Sequence, residues 1–166
     1  HTGFLKKLIE ESEASLIVHR KALPFLAEGR NNSEMTGNTG LIRLLMRLRL
    51  TIGFATVNEA VIPNQKAIIL EDDNNELLRA TGFAAKIITL PGHTGDSMAL
   101  VFDDGRAFVG DAAMNRCHLL NPGFYPLVAE DCLQIRTSWI KLLNEGAKEL
   151  FVSHGKSIPI NRLIKP

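Results

Sequence analysis

A layered α/β domain with a mixed sheet is the fold this sequence predicts, and three observations predict it. Helical hydrophobic periods dominate the first fifty residues, short β runs separated by turn signals follow from residue 55, and one long helical stretch precedes a last β run. The order β-β-β-α-β after a helix-rich start belongs to α/β architectures.

In chain order, 3–14 carries Phe4, Leu5, Leu8 and Ile9 at helical spacing, with Lys6, Lys7, Glu10, Glu11 and Glu13 outward and Thr2 as the candidate N-cap. Ser15 to Val18 reads as a short buried strand, and His19 to Glu28 as a helix carrying Pro24. His19 is expected at the surface or at the helix start. The polar, Gly-rich stretch 29–40 is a loop, and LIRLLMRLRL at 41–50 a basic amphipathic helix, so 29–53 looks like an insertion. That helix should bury Leu41, Leu44, Leu45 and Leu48 and leave Arg43 and Arg47 one turn apart on another face. It fits a lid over an acyl chain, a dimer contact, a membrane-surface element or a plain packed helix. Val57 to Ile62 and Ala67 to Leu70 read as β runs, and acidic 71–76 as a solvated turn. Strands are expected at 85–90, 97–102 and 106–110, the last two joined by the Asp103-Asp104-Gly105 hairpin signal. A helix over 130–144, with Trp139 packed in its core stripe, leads to a strand at 149–153.

One globular domain spanning 1–166 accommodates these elements: 45% of the 166 residues are apolar and 22% charged, which excludes disorder. Nineteen Lys and Arg against eighteen Asp and Glu give +1, no field for nucleic acid or an acidic membrane surface. No apolar run approaches the roughly 18 residues of a membrane span. Cys117 and Cys132 lack a CxxC spacing and read as small buried residues, so a reducing, cytoplasmic location is expected.

Strand directions gather the chemistry. If 85–90 turns back into 97–102, and 97–102 into 106–110, the first and third strands run the same way. The helix 130–144 is long enough for a parallel crossover to 149–153, so three strands end on one rim. Just past those ends stand His93, Asp111 and His154, ligand types that zinc, iron and manganese accept. Gly92, Gly95, Gly110 and Gly155 border them, where a backbone bending sharply beside an ion needs residues without a Cβ.

Pro91-Gly92-His93-Thr94-Gly95-Asp96-Ser97, then Gly110-Asp111, then Ser153-His154-Gly155, resemble the metallo-β-lactamase superfamily in order, spacing and strand context. The opening His1-Thr2-Gly3 resembles the end of its HxHxDH motif. The resemblance implies an αββα four-layer sandwich lacking its first strands here, with unpaired edges and an exposed apolar face. It also implies two divalent ions, zinc foremost with iron or manganese as alternatives. His93 would serve the first ion, His1 and His154 the second, and Asp111 would bridge them. The HxHxD segment does not precede His1, so the chain is expected to be part of a longer protein. The implied activity is hydrolysis of a small ester, thioester or lactone, with His118, Arg43 and Arg47 as candidate substrate contacts. A noncatalytic scaffold of the same fold is the alternative. Expected partners are a small-molecule substrate and a second copy of the chain.

Overall fold

A computed structural model describes residues 3–12, 14–30, 35–48, 59–63, 66–116 and 123–164. The chain groups into two compact units, His1–Ser33 with Thr51–Glu71, and Glu34–Leu50 with Asp72–Pro166.

In the first unit, α1 (Leu5–Glu11) follows Phe4, which offers no side-chain cap. Thr2, the predicted cap, lies outside the described residues. Strand β1 (Ile17–His19) pairs in parallel with β3 (Ile68–Leu70), Val18 opposite Ile69. A 3-10 turn at Arg20–Ala22 runs into α2 (Leu23–Glu28). Pro24 is tolerated in the first turn of α2 because an N–H there has no intrahelical acceptor. His19 is buried at this helix start rather than at the surface. Its Nδ1 accepts from the Lys21 N–H at 3.0 Å, and its Nε2–H donates to the Glu71 carbonyl at 3.2 Å, tying β1 to the end of β3. The β run expected over Val57 to Ile62 is corrected where it is described. Residues 59–62 form no strand, because the Val61 N–H donates to the Leu26 carbonyl at 2.8 Å, at the end of α2. Residues 57 and 58 lie outside the described residues.

The second unit contains β2 (Thr36–Gly37), α3 (Gly40–Arg47), β4 (Ala85–Thr89), β5 (Met98–Phe102), β6 (Arg106–Gly110), β7 (Val128–Ala129), α4 (Cys132–Asn144), β8 (Glu149–Val152) and β9 (Ile158–Pro159). A five-stranded sheet has the order β4-β5-β6-β8-β9; β6 and β8 are parallel and the other neighbours antiparallel. One face of this sheet carries Ile88, Val101, Val109, Leu150 and Ile158, buried with Ile135, Trp139 and Leu142 of α4. The opposite face carries Phe102, Phe108 and Phe151. Phe108 and Phe151 stack at 5.0 Å, Phe102 meets Phe108 edge-on at 5.9 Å, and Phe108 remains 45% exposed.

One expectation fails in this unit. Leu41, Leu44 and Leu48 are about half exposed and Leu45 only partly buried, whereas Ile42 is buried. Helix α3 seats Ile42 on Gly37 of β2: a Cβ at Gly37 would fall 2.8 Å from Ile42 Cγ2. That seat turns Ile42, Leu45 and Met46 inward and the leucine stripe outward. The acidic stretch 71–76 is largely exposed, as expected, and within it Asp73 accepts from the Thr89 N–H at 2.7 Å, the Thr89 hydroxyl at 2.9 Å and Lys141 Nζ at 2.8 Å.

Partial burial works against the Asp73 charge, but Lys141 and both Thr89 donors outweigh it and hold the carboxyl below the ordinary aspartate range. A depressed carboxyl pKa stabilises the fold above the unfolded value near 3.9 and loses that contribution as pH falls through the folded value. Asp73→Asn should therefore cost about 1 kcal/mol at pH 7 after allowance for solvent screening. The gap between variant and parent urea midpoints should narrow below about pH 4. A gap as wide at pH 3 as at pH 7 would refute the assignment. Among the described residues, no helix is long and apolar enough to cross a membrane.

Candidate metal centre

Strands β4, β6 and β8 point the same way, as the sequence predicts, so their carboxyl ends share a rim. His93 follows β4, Asp111 directly follows β6, and His154 follows β8. His93 Nε2 lies 3.7 Å from Asp111 Oδ2, and His154 Nε2 lies 3.6 Å from Asp111 Oδ1. Both gaps are too long for hydrogen bonds. Two donors each about 2.0–2.1 Å from one tetrahedral ion stand roughly 3.4 Å apart, so both gaps suit a shared cation. The side chains of His93 and Asp111 are 16% and 15% exposed, and that of His154 is 38% exposed. The histidines face different carboxylate oxygens, so the three donors do not close around one point. Among the described residues, no three His, Cys, Asp or Glu groups do.

The His93 ring is held from behind. Its Nδ1–H donates to the Val128 carbonyl at 2.9 Å, and since a carbonyl only accepts, the Nε2 lone pair is left facing Asp111. The Glu130 N–H donates to the His93 carbonyl at 3.0 Å, and the Asp131 N–H to the Gly92 carbonyl at 2.9 Å. Val128 sits in β7, paired with Gly37 of β2, so this segment is itself anchored. Asp131 then caps α4, its carboxylate accepting from the Leu133 and Gln134 N–H groups at 2.8 and 3.1 Å. Across the loop, the Thr94 and Ser97 hydroxyls meet at 2.7 Å.

Glycine is required beside two of the donors. Gly92 has φ +141°, and a Cβ there would lie 2.7 Å from the Ile135 backbone nitrogen. Gly155 has φ +110°, and a Cβ there would lie 2.2 Å from the Asn115 carbonyl oxygen. Gly95, grouped with them in the sequence, has no positive φ.

The structure thus brings together His93, Asp111 and His154. His1 and His118 lie outside the described residues, as does Cys117. Arg43 and Arg47 are exposed on α3, which packs on β2, the partner of β7. Burial, then the Asp131 charge, pushes the Cys132 thiol up, and Arg43 opposes both without reversing them, so the thiol stays protonated as a packing residue. Sequence reasoning missed the Val128 carbonyl and the Asn115 contact because both are main-chain interactions. The Asp131 cap was legible as an Asp immediately before a helical period.

No family model matches the chain. It is 35% identical over 71 residues to a hydroxyacylglutathione hydrolase from Rhodopseudomonas palustris (strain BisB5); the match covers 42% of this chain and 28% of that enzyme. Its fold is similar to that of ST1585 from Sulfolobus tokodaii, an archaeal metallo-beta-lactamase superfamily protein. That similarity has a TM-score of 0.61 at 20% identity and covers 97% of this chain and 59% of the other. TTHA1623, solved in a di-iron-bound form, is similar at a TM-score of 0.50 and 19% identity, over 97% of this chain and 67% of that one.

Proposed function

Because the chain carries the metallo-β-lactamase fold, we propose that it supplies the His93, Asp111 and His154 side of a two-ion hydrolase centre acting on a small thioester, with esters and lactones as alternatives. The observation that carries this reading is Asp111, whose two oxygens face two different imidazole nitrogens. A carboxylate so placed spans two cation positions, and each side offers one imidazole nitrogen and one carboxylate oxygen, donors that fit zinc, iron or manganese. Divalent ions held there would supply Lewis acidity, lowering the pKa of a water toward about 7 and polarising a carbonyl oxygen. The chain's own part is orientation. The Val128 carbonyl keeps the His93 ring aimed, and Asp111 fixes the spacing by its rigid carboxylate width. Thioesters come first because the curated relative is named for one. A cytoplasmic location accords with the unpaired cysteine chemistry. His1 is proposed as a further ligand, and His118, Arg43 and Arg47 as substrate contacts. A noncatalytic scaffold is the second reading, favoured by the single histidine on each side of Asp111 among the described residues.

Stripping divalent metals with a chelator should abolish hydrolysis of an acyl-glutathione thioester, and adding Zn(II), Fe(II) or Mn(II) should restore it. Hydrolysis that survives chelation would overturn the metal reading. A protein that binds these ions without turning over thioesters, esters or lactones would favour the scaffold.

A further inference from the structure

We infer that Ser138 and Trp139, consecutive residues of α4, are positioning residues that set where His93 and Asp111 stand relative to each other; the inference rests on the metal-centre reading above. Ser138 is 2% exposed, and its hydroxyl donates to the Pro91 carbonyl at 2.7 Å. Trp139 is 3% exposed, and its indole N–H donates to the Ala112 carbonyl at 2.8 Å. Pro91 lies two residues before His93, and Ala112 immediately follows Asp111. The two bonds therefore grip the two ligand-bearing loops from residues that share one peptide bond.

A buried serine in a helix ordinarily returns its hydroxyl to a carbonyl of its own helix. Ser138 instead reaches a loop distant in sequence, and a buried hydroxyl without that acceptor would be costly. The indole behaves likewise. Its ring packs against Tyr125, with centroids 4.5 Å apart, a contact that phenylalanine could also make, while only the N–H holds Ala112. Loops can drift, but the separation of two neighbouring side chains on a helix is fixed by helix geometry. Helix α4 thereby acts as a ruler between the loops. At its N-terminus the same helix is tied to the His93 loop by the Asp131 N–H bond to the Gly92 carbonyl.

The test compares Ser138→Ala and Trp139→Phe with Leu142→Val, a packing change on the same helix with no bond to either loop, and with His93→Ala. Each protein is titrated with Co(II), whose visible d–d bands report ligand geometry. The parent should bind Co(II), and His93→Ala should lose the tetrahedral bands. Ser138→Ala and Trp139→Phe should each weaken binding about tenfold and reshape the bands. Leu142→Val should lower the thermal midpoint while leaving affinity and bands near the parent. In the metal-free protein, the Glu130 and Asp131 amides, which donate to His93 and Gly92, should exchange about tenfold faster in Ser138→Ala. Parental affinity, bands and amide exchange in both variants, with Co(II) lost only in His93→Ala, would overturn the positioning role and leave the metal reading standing. A parent that binds no Co(II) would overturn the metal reading and this inference with it. The two variants act on separate loops, so either alone decides the matter if the other does not fold.

Discussion

Gly155→Ala is expected to destabilise the protein by about 3 kcal/mol or more and to move His154 out of the centre. The φ of +110° alone strains any residue with a Cβ, and here the added methyl would stand 2.2 Å from the Asn115 carbonyl oxygen. Backbone on both sides leaves no flexible side chain to yield. The Asn115 N–H donates to the His154 carbonyl at 2.9 Å, and its side-chain amide donates to the Lys156 carbonyl at 3.0 Å. Any shift that relieves the overlap must therefore break the staple holding His154 on the rim. The thermal midpoint should fall by roughly 10 °C, given about 2–4 °C per kcal/mol for a chain of this size. A midpoint within about 2 °C of the parent would show that the backbone here can relax, contrary to the argument.

Asp111→Asn should cost roughly a thousandfold in kcat/KM for thioester hydrolysis while leaving the thermal midpoint nearly unchanged. The amide keeps the size of the carboxylate but offers one oxygen instead of two and carries no charge. With His93 on one side at 3.7 Å and His154 on the other at 3.6 Å, an asparagine can set an oxygen beside only one of them. The other imidazole would face an NH2 group, which repels a cation. Metal content and activity should fall together. A variant keeping more than about a tenth of the activity would remove Asp111 from the bridging role.

The meander β4, β5 and β6, the crossover α4 and strand β8 were legible because turn chemistry and period agree along 85–153. Asp103-Asp104-Gly105 forces a reversal, and the length of 130–144 forces a crossover. From those two facts, together with the reversal of 85–90 into 97–102, the rim bearing His93, Asp111 and His154 follows. Strands β2, β7 and β9 are two residues long and carry no period to read. The side of α3 that faces inward was misread because leucine count points one way and the glycine seat at Gly37 points the other. Only the fold reveals that seat. Trp139 was read as packing, since periodicity reports which side chains are buried and is silent on what an indole N–H bonds.

The support behind His93 is made of main-chain atoms: the Val128 carbonyl on the ring, and the Glu130 and Asp131 N–H groups on the loop. Every residue except proline brings both groups to its position. The bonds that hold the imidazole therefore do not depend on which side chains stand along this wall. On the proposed metal-centre reading, a lineage built this way can drift in what it recognises while its metal geometry stays constant, which makes the loop beside His93 ground for evolving new substrate preferences.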